Sequence, residues 1–273
     1  MAAFYAHLKV GHVEAGLRTH DKWQPFLEEI NRRVASAIAD LHFAPTSTAR
    51  QNLLREGVTG NRVLVTGNPV IDAIHWVAGQ SPTPKARILL KQCFENDGMQ
   101  GQKKRLILVT AHRRENLGTP LENICLALRD LANFYRRRLC IVYPVHLNPN
   151  VWNPVHQLLG SVPNLVLVPP LDYLPLVYLM KHSYLVLTDS GGIQEEAPGL
   201  GIPVLVLREV TERPEAVEAG IVRLVGTNRS RIVNETMQLL NEPEAYNRMA
   251  RAINPYGDGR SAERIVGALV GKL

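Results

Sequence analysis

Cysteine is scarce: Cys93, Cys125 and Cys140 are the only three in 273 residues, widely spaced and without a C-x-x-C pair. That spacing suggests neither a disulfide framework nor a zinc site, and it predicts three reduced, mostly buried thiols. Long apolar runs are missing too. No window approaches the ~18 uninterrupted apolar residues of a membrane span. The opening MAAFYAHLKVGH lacks the basic-then-apolar order and cleavage site of a secretory signal. A cytoplasmic chain with no membrane partner is the expectation. Charge is not concentrated either. The formal net charge is +6 and the pI near 9.3, yet the one basic cluster is Arg136-Arg137-Arg138, between a helical pattern and a strand-like run. Arginines there complement a helix macrodipole. They do not make a nucleic-acid surface, and a phosphorylated small molecule suits the modest positive charge equally well.

What is present is the profile of an ordinary globular protein, 45% hydrophobic and 21% charged, long enough for two modest domains. Short β-branched runs at 9–15, 62–67, 105–112, 139–145, 164–170, 184–190, 202–208 and 221–226 read as strands. LHFAP at 41–45 is a further candidate, and amphipathic stretches at 27–41, 121–135 and 230–250 read as helices. Such alternation predicts a parallel, doubly wound α/β architecture. Residues 78–103, rich in Pro, Gly and polar side chains, read as a linker or irregular helix, after which a second unit takes its first strand at Arg105. That unit has six strand candidates and reads as complete. The first has too few strands to cover its own edges: either an N-terminal piece of the sheet is missing, or something else covers that edge.

Candidate chemistry gathers where strands end. GHVEAGLRT, residues 11–19, sets Glu14 at the end of a short apolar run, where a carboxylate is usually paired or employed. TDSGG places Ser190, Gly191 and Gly192 between a strand and a helix. Glycines let backbone N–H groups approach a diphosphate, but a tight turn with a serine cap has the same pattern; the segment alone leaves both readings open. Glu196, one turn on, is placed to accept hydrogen bonds from a ribose diol. Arg208, Glu212 and Arg213 precede Pro214 in a loop, either reaching toward phosphates or simply solvated. TAHRREN packs His112, Arg113, Arg114 and Glu115 into one turn after a buried strand, which favours contact with phosphate or sugar. YPVHLNPN offers His146 and Asn148, or a turn fixed by Pro144 and Pro149.

Taken with WQPFLEEINRR, LHFAPT, VTGNPVIDA, DYLPL, GIQEEAPGLGIPVLVLR, TERPEAVEAG and NPYGDG, these segments resemble, in order and spacing, the non-hydrolysing bacterial UDP-N-acetylglucosamine 2-epimerases. The resemblance covers essentially the whole chain. It implies a GT-B-like fold of two Rossmann-type halves, the first incomplete: residues 1–85 as a remnant N-terminal half, 86–250 as the UDP-binding half and 251–273 as a helix crossing back. The implied activity interconverts UDP-N-acetylglucosamine and UDP-N-acetylmannosamine by elimination and re-addition of UDP. It needs no cofactor or metal, and it serves envelope polysaccharides such as enterobacterial common antigen; members are usually homodimers.

By matching, Glu14, Glu28 and His112 are the implied catalytic residues. Glu14, His112, Leu171, Leu176, Ser190, Gly191, Gly192, Glu196 and Arg213 are implied substrate contacts. Arg113 and His146 are candidates for a second, activating UDP-N-acetylglucosamine. Leu171 and Leu176 stand where relatives often have Gln and Phe, so backbone contacts to uracil survive but ring stacking at Leu176 does not. Relatives also carry, ahead of GHVEAGLRT, a strand and basic loop and a G-D-T segment with a catalytic aspartate. By that comparison roughly a hundred residues of one Rossmann-type half are absent. Two alternatives are a non-catalytic UDP-sugar-binding fragment and a GT-B glycosyltransferase; the HVEAGLRT and HLNPN segments disfavour the latter.

Overall fold

The computed structural model describes residues 1–23, 27–94 and 104–272. Internal contacts gather the chain into two units, Met1–His75 with Asn254–Leu273, and Trp76–Ile253.

The first unit runs α1 (Ala2–Tyr5), β1 (Gly11–Val13), α2 (Glu28–Ile38), β2 (Leu41–Ala44), α3 (Ser47–Arg55), β3 (Val63–Val65) and α4 (Pro69–Ala78), the last continuing past the division at His75. Its three parallel strands lie in the order β1-β2-β3. Helix α3 starts where it does because the Thr46 hydroxyl accepts a hydrogen bond from the Ala49 N–H, satisfying one of the free donors of the first turn. The turn after β1 packs on α3, with Asn52 Nδ2 donating to the Gly16 carbonyl at 3.0 Å. Ala15, Leu17, Ala44, Ala49, Leu53 and Val63 form the small core beneath. Arg18 is buried; its guanidinium donates twice to the Glu56 carboxylate at 2.8 Å and once to Ser36 Oγ, tying this turn to α2 and α3.

His42 on β2 is fully buried, and neither ring nitrogen has a hydrogen-bond partner among the described residues. Burial, then the neighbouring His12, Arg62 and Arg18, hold its pKa down from 6.5 to about 4, with Asp40 opposing. Above the unfolded value the ring is neutral in both states. As pH falls from there toward the folded value, only the unfolded chain gains a proton, so about 3 kcal/mol of stability should be lost across that window. Urea midpoints measured between neutral and mildly acidic pH should show the loss, and His42→Phe should flatten it; an equally steep fall in the variant would refute the assignment.

The second unit comprises α5 (Pro84–Phe94), β4 (Arg105–Thr110), α6 (Thr119–Phe134), β5 (Leu139–Pro144), α7 (Pro149–Leu159), β6 (Leu165–Val168), α8 (Tyr173–Lys181), β7 (Leu185–Thr188), α9 (Ile193–Gly199), β8 (Val204–Val206), α10 (Pro214–Glu218), β9 (Val222–Leu224), α11 (Arg229–Asn241) and α12 (Pro243–Ala250). Its six strands are parallel in the order β6-β5-β4-β7-β8-β9. Residues 106–109 on β4 and 185–188 on β7 are wholly buried, as expected for a sheet covered on both faces. Leu121, Ile124, Leu128 and Leu131 recur at helical spacing on α6, inside the core that it shares with α7 and α11.

Expectation and structure differ at four points here. The single helix expected over 230–250 is two, because Pro243 lacks the N–H that a continuing helix needs and instead opens α12. The irregular stretch 78–103 contains the regular α5, which packs on α8, while residues 95–103 lie outside the described residues. The boundary expected at 85/86 falls inside that helix, whereas the contacts divide at 75/76. The thiols are not all reduced: Cys93 of α5 and Cys140 of β5 form a disulfide, their Cα atoms 5.6 Å apart. The fold brings together residues that are distant in sequence, which spacing could not show. Cys125 remains a free thiol, its pKa pushed up to about 12 by burial and then by Glu122.

In the first unit α13 (Ser261–Lys272) begins against α4, where the Asp72 carboxylate accepts from the Ser261 and Ala262 N–H groups at 3.0 and 2.8 Å. A carboxylate at a helix start satisfies free donors and complements the dipole. No helix among the described residues is long and apolar enough to cross a membrane.

Candidate functional site

In the second sheet the chain builds outward from β4 to β6, then returns to the other side of β4 and builds from β7 to β9. Connections on the two sides of such a reversal leave the sheet in opposite directions, opening a crevice at the carboxyl ends of the strands. Here that point lies between β4 and β7. The first strand runs into His112 and Arg113, the second into Asp189, Ser190, Gly191 and Gly192.

The two loops are cross-tied. The hydroxyls of Thr110 and Thr188 lie 2.6 Å apart. Asp189 is fully buried, and its Oδ2 accepts from the backbone N–H groups of His112 and Arg113 at 2.8 Å and from Asn116 Nδ2 at 3.0 Å. Arg113 Nε donates to the Asp189 carbonyl at 3.1 Å. Sequence reasoning did not single out Asp189. The signal was there: an acid ending an apolar strand must find donors or carry a cost of several kcal/mol.

His112 is partly exposed and stacks on His146, ring centroids 5.4 Å apart and planes 12° from parallel. His146 Nδ1 accepts from the Asn148 N–H at 3.0 Å, and the Asn148 side chain in turn caps α7. The HLNPN segment is thus a turn, and it also sets an imidazole beside His112. Across the crevice, Gly192 precedes α9 and faces open space, while a Cβ on Gly191 would stand 2.8 Å from Glu212 Oε1. A side chain at Gly191 would therefore press on the ends of the Glu212 and Arg213 side chains, which would have to shift. No side chain caps α9, so Ser190 is not the cap that the turn reading expected.

Arg213 is buried, with Nε 2.8 Å from Glu195 Oε1 and Nη1 3.2 Å from Glu212 Oε1. Arg208 Nη1 donates to Glu212 Oε2 at 2.7 Å and Arg113 Nη2 approaches Oε1 at 3.5 Å. Burial alone would raise the Glu212 pKa, but Arg213 and then Arg208 outweigh it and hold the carboxyl below its ordinary range. Glu196, nearly buried on α9, accepts from the Tyr173 hydroxyl at 2.9 Å. Its pKa is raised by burial, with the Tyr173 hydrogen bond opposing. Leu176 sits on α8 one turn beyond Tyr173, and Leu171 lies in the approach to that helix. Tyr173 was also missed; its partner became visible only when α8 met α9.

Glu14 and Glu28 belong to the first unit. Glu14 follows β1, is exposed, and holds a left-handed backbone, φ +62°, with Asn68 Nδ2 donating to its Oε1 at 3.3 Å. A glutamate in that region costs about 1 kcal/mol or more, strain of a kind that concentrates at functional sites. Glu28 opens α2 and is exposed; its neighbour Glu29 is fully buried, accepting from the Thr19 N–H at 3.1 Å and Arg33 Nε at 3.3 Å. The adjacent glutamates thus divide into an available and a structural one.

The family described as UDP-N-acetylglucosamine 2-epimerase matches residues 1–270. The UDP-N-acetylglucosamine 2-epimerase of Salmonella typhimurium is 55% identical over 272 residues, covering 98% of this chain and 71% of the relative. That of Escherichia coli (strain K12) is 54% identical over 269 residues, with the same shares. Among solved structures, the Neisseria meningitidis UDP-GlcNAc 2-epimerase bound to UDP-GlcNAc superposes with a TM-score of 0.89 at 48% identity, covering 99% of this chain and 72% of that one. The Methanocaldococcus jannaschii enzyme, solved with UDP-GlcNAc and UDP, gives 0.78 at 33% identity, covering 98% and 71%. The α/β class and parallel sheets match these GT-B-like structures. This chain belongs to the UDP-N-acetylglucosamine 2-epimerase family.

Proposed function

We propose that the crevice between β4 and β7 holds the UDP of UDP-N-acetylglucosamine, and that the chain acts in its interconversion with UDP-N-acetylmannosamine. The carrying observation is the convergence, at one switch point, of a glycine turn, His112 and the buried Arg213 network. Ser190, Gly191 and Gly192 admit the diphosphate to the backbone, and His112 and Arg213 supply positive charge as it departs. Glu196 accepts from the ribose diol in place of the Tyr173 hydroxyl. Leu171 and Leu176 stand at the uracil, the former through its backbone. Arg113 and His146 are the contacts for a second, activating UDP-N-acetylglucosamine.

Acid–base work at the sugar falls to Glu14 and Glu28. A carboxylate takes the C2 proton, the C–H pair becomes the C1–C2 double bond of 2-acetamidoglucal, and the C1–O pair leaves with UDP. Return of a proton to the other face of C2, with attack of UDP oxygen on C1, completes the epimerisation. Work in the cytoplasm as a homodimer supplying envelope polysaccharides is the setting this reading implies. With six strands in the second sheet and three in the first, a second reading is UDP binding without turnover.

Calorimetric titration with UDP and NMR of the sugar anomeric protons separate the two. Binding together with a new UDP-N-acetylmannosamine signal supports the first; binding alone leaves the second; absence of UDP binding removes both.

A further inference from the structure

Asp189 carries more than a loop tie. Its three donors all converge on Oδ2, the backbone N–H groups of His112 and Arg113 and the Asn116 amide. Oδ1, on a side chain with no solvent exposure, has no hydrogen-bond partner among the described residues. His112 Nδ1 lies 3.8 Å from it. That separation exceeds a hydrogen bond, yet an ionised carboxylate oxygen buried without a donor is costly, and a small swing of one imidazole closes the gap. His146, stacked on the His112 ring, limits that swing to motion near the ring plane.

We propose that Asp189 is a positioning residue for His112: its Oδ1 accepts a hydrogen bond from Nδ1–H, which holds the proton on that nitrogen and leaves Nε2 facing the departing diphosphate, where a second proton on the ring is donated to it. The inference deepens the UDP reading above and rests on it for the role of Nε2, but not for the Asp189–His112 pairing itself. With a carboxylate behind Nδ1, the ring can hold positive charge against the leaving group without losing its orientation.

Asp189→Asn tests this cleanly. The amide oxygen can occupy the Oδ2 position and keep all three donors, while the amide nitrogen replaces Oδ1 and presents a donor to Nδ1. Ring nitrogen shifts of His112, assigned by comparison with His112→Gln, report the tautomer in 15N-histidine-labelled protein without added ligand. The wild type should show Nδ1–H and Asp189→Asn the Nε2–H form. UDP affinity of the variant should fall roughly tenfold or more, because an amide behind Nδ1 cannot support the doubly protonated ring whose Nε2–H donates to the diphosphate. A wild-type ring in the Nε2–H form overturns the proposal even if the variant does not fold, as does an unchanged tautomer in a folded variant. Failure of the wild type to bind UDP, with the tautomer as expected, overturns the nucleotide reading and leaves the pairing supported.

Discussion

Gly16→Val is expected to leave the first unit unfolded. The residue holds φ +88°, and a Cβ there would lie 2.1 Å from the Ala49 carbonyl oxygen, 2.7 Å from its carbon and 3.0 Å from Leu53 Cγ. The obstruction is the backbone of α3, which its Thr46 cap and the Asn52 bond to Gly16 hold in place. Left-handed strain adds about 1 kcal/mol, and overlap with immovable backbone brings the total to at least about 4 kcal/mol, a large part of a small unit's stability. Gly57 is the internal control. It has nearly the same φ, +89°, but a Cβ there meets nothing within 4 Å. Gly57→Ala should therefore cost only about 1 kcal/mol. Amide exchange of β2 and β3 reads both: full loss of protection for Gly16→Val, a modest decrease for Gly57→Ala. Equal effects would refute the close packing of this turn on α3.

Arg213→Ala is expected to cost about 3–5 kcal/mol, since it takes the cation from two buried carboxylates, Glu195 and Glu212. It should also weaken UDP binding by roughly 10- to 100-fold through loss of a charged contact to diphosphate. The two effects separate in the pair Arg213→Met with Glu195→Gln, which replaces the closest ion pair by neutral side chains of similar volume. Thermal melts should then recover in part while calorimetric UDP affinity does not. Recovery of both would make Arg213 a purely structural residue.

Much of this fold was legible because parallel strands buried on both faces need continuous apolar runs. The runs 105–112, 139–145, 184–190 and 202–208 contain β4, β5, β7 and β8. Their ends were legible too, since polar residues directly after such strands have little reason to be there except ligand contact or pairing. The rest depended on encounters between distant segments. Cys93 meets Cys140 only because α5 packs beside β5, and Tyr173 reaches Glu196 only because α8 lies beside α9. Asp189 was passed over because serine and glycine drew attention to the next three positions, although a buried acid is the stronger anomaly. In GHVEAGLRT, Glu14 is exposed and accepts from Asn68, whereas Gly16 and Arg18 answer to packing: one needs a backbone without a side chain, the other holds Glu56.

The decisive observation is the fate of the C2 hydrogen of UDP-N-acetylglucosamine incubated with the chain in deuterated water. Elimination and re-addition predict deuterium at C2 in UDP-N-acetylmannosamine as it forms, loss of the C2 proton from the remaining substrate, and slower exchange in Glu14→Gln. UDP bound in the crevice with C2 still fully protonated would contradict epimerisation by this chain.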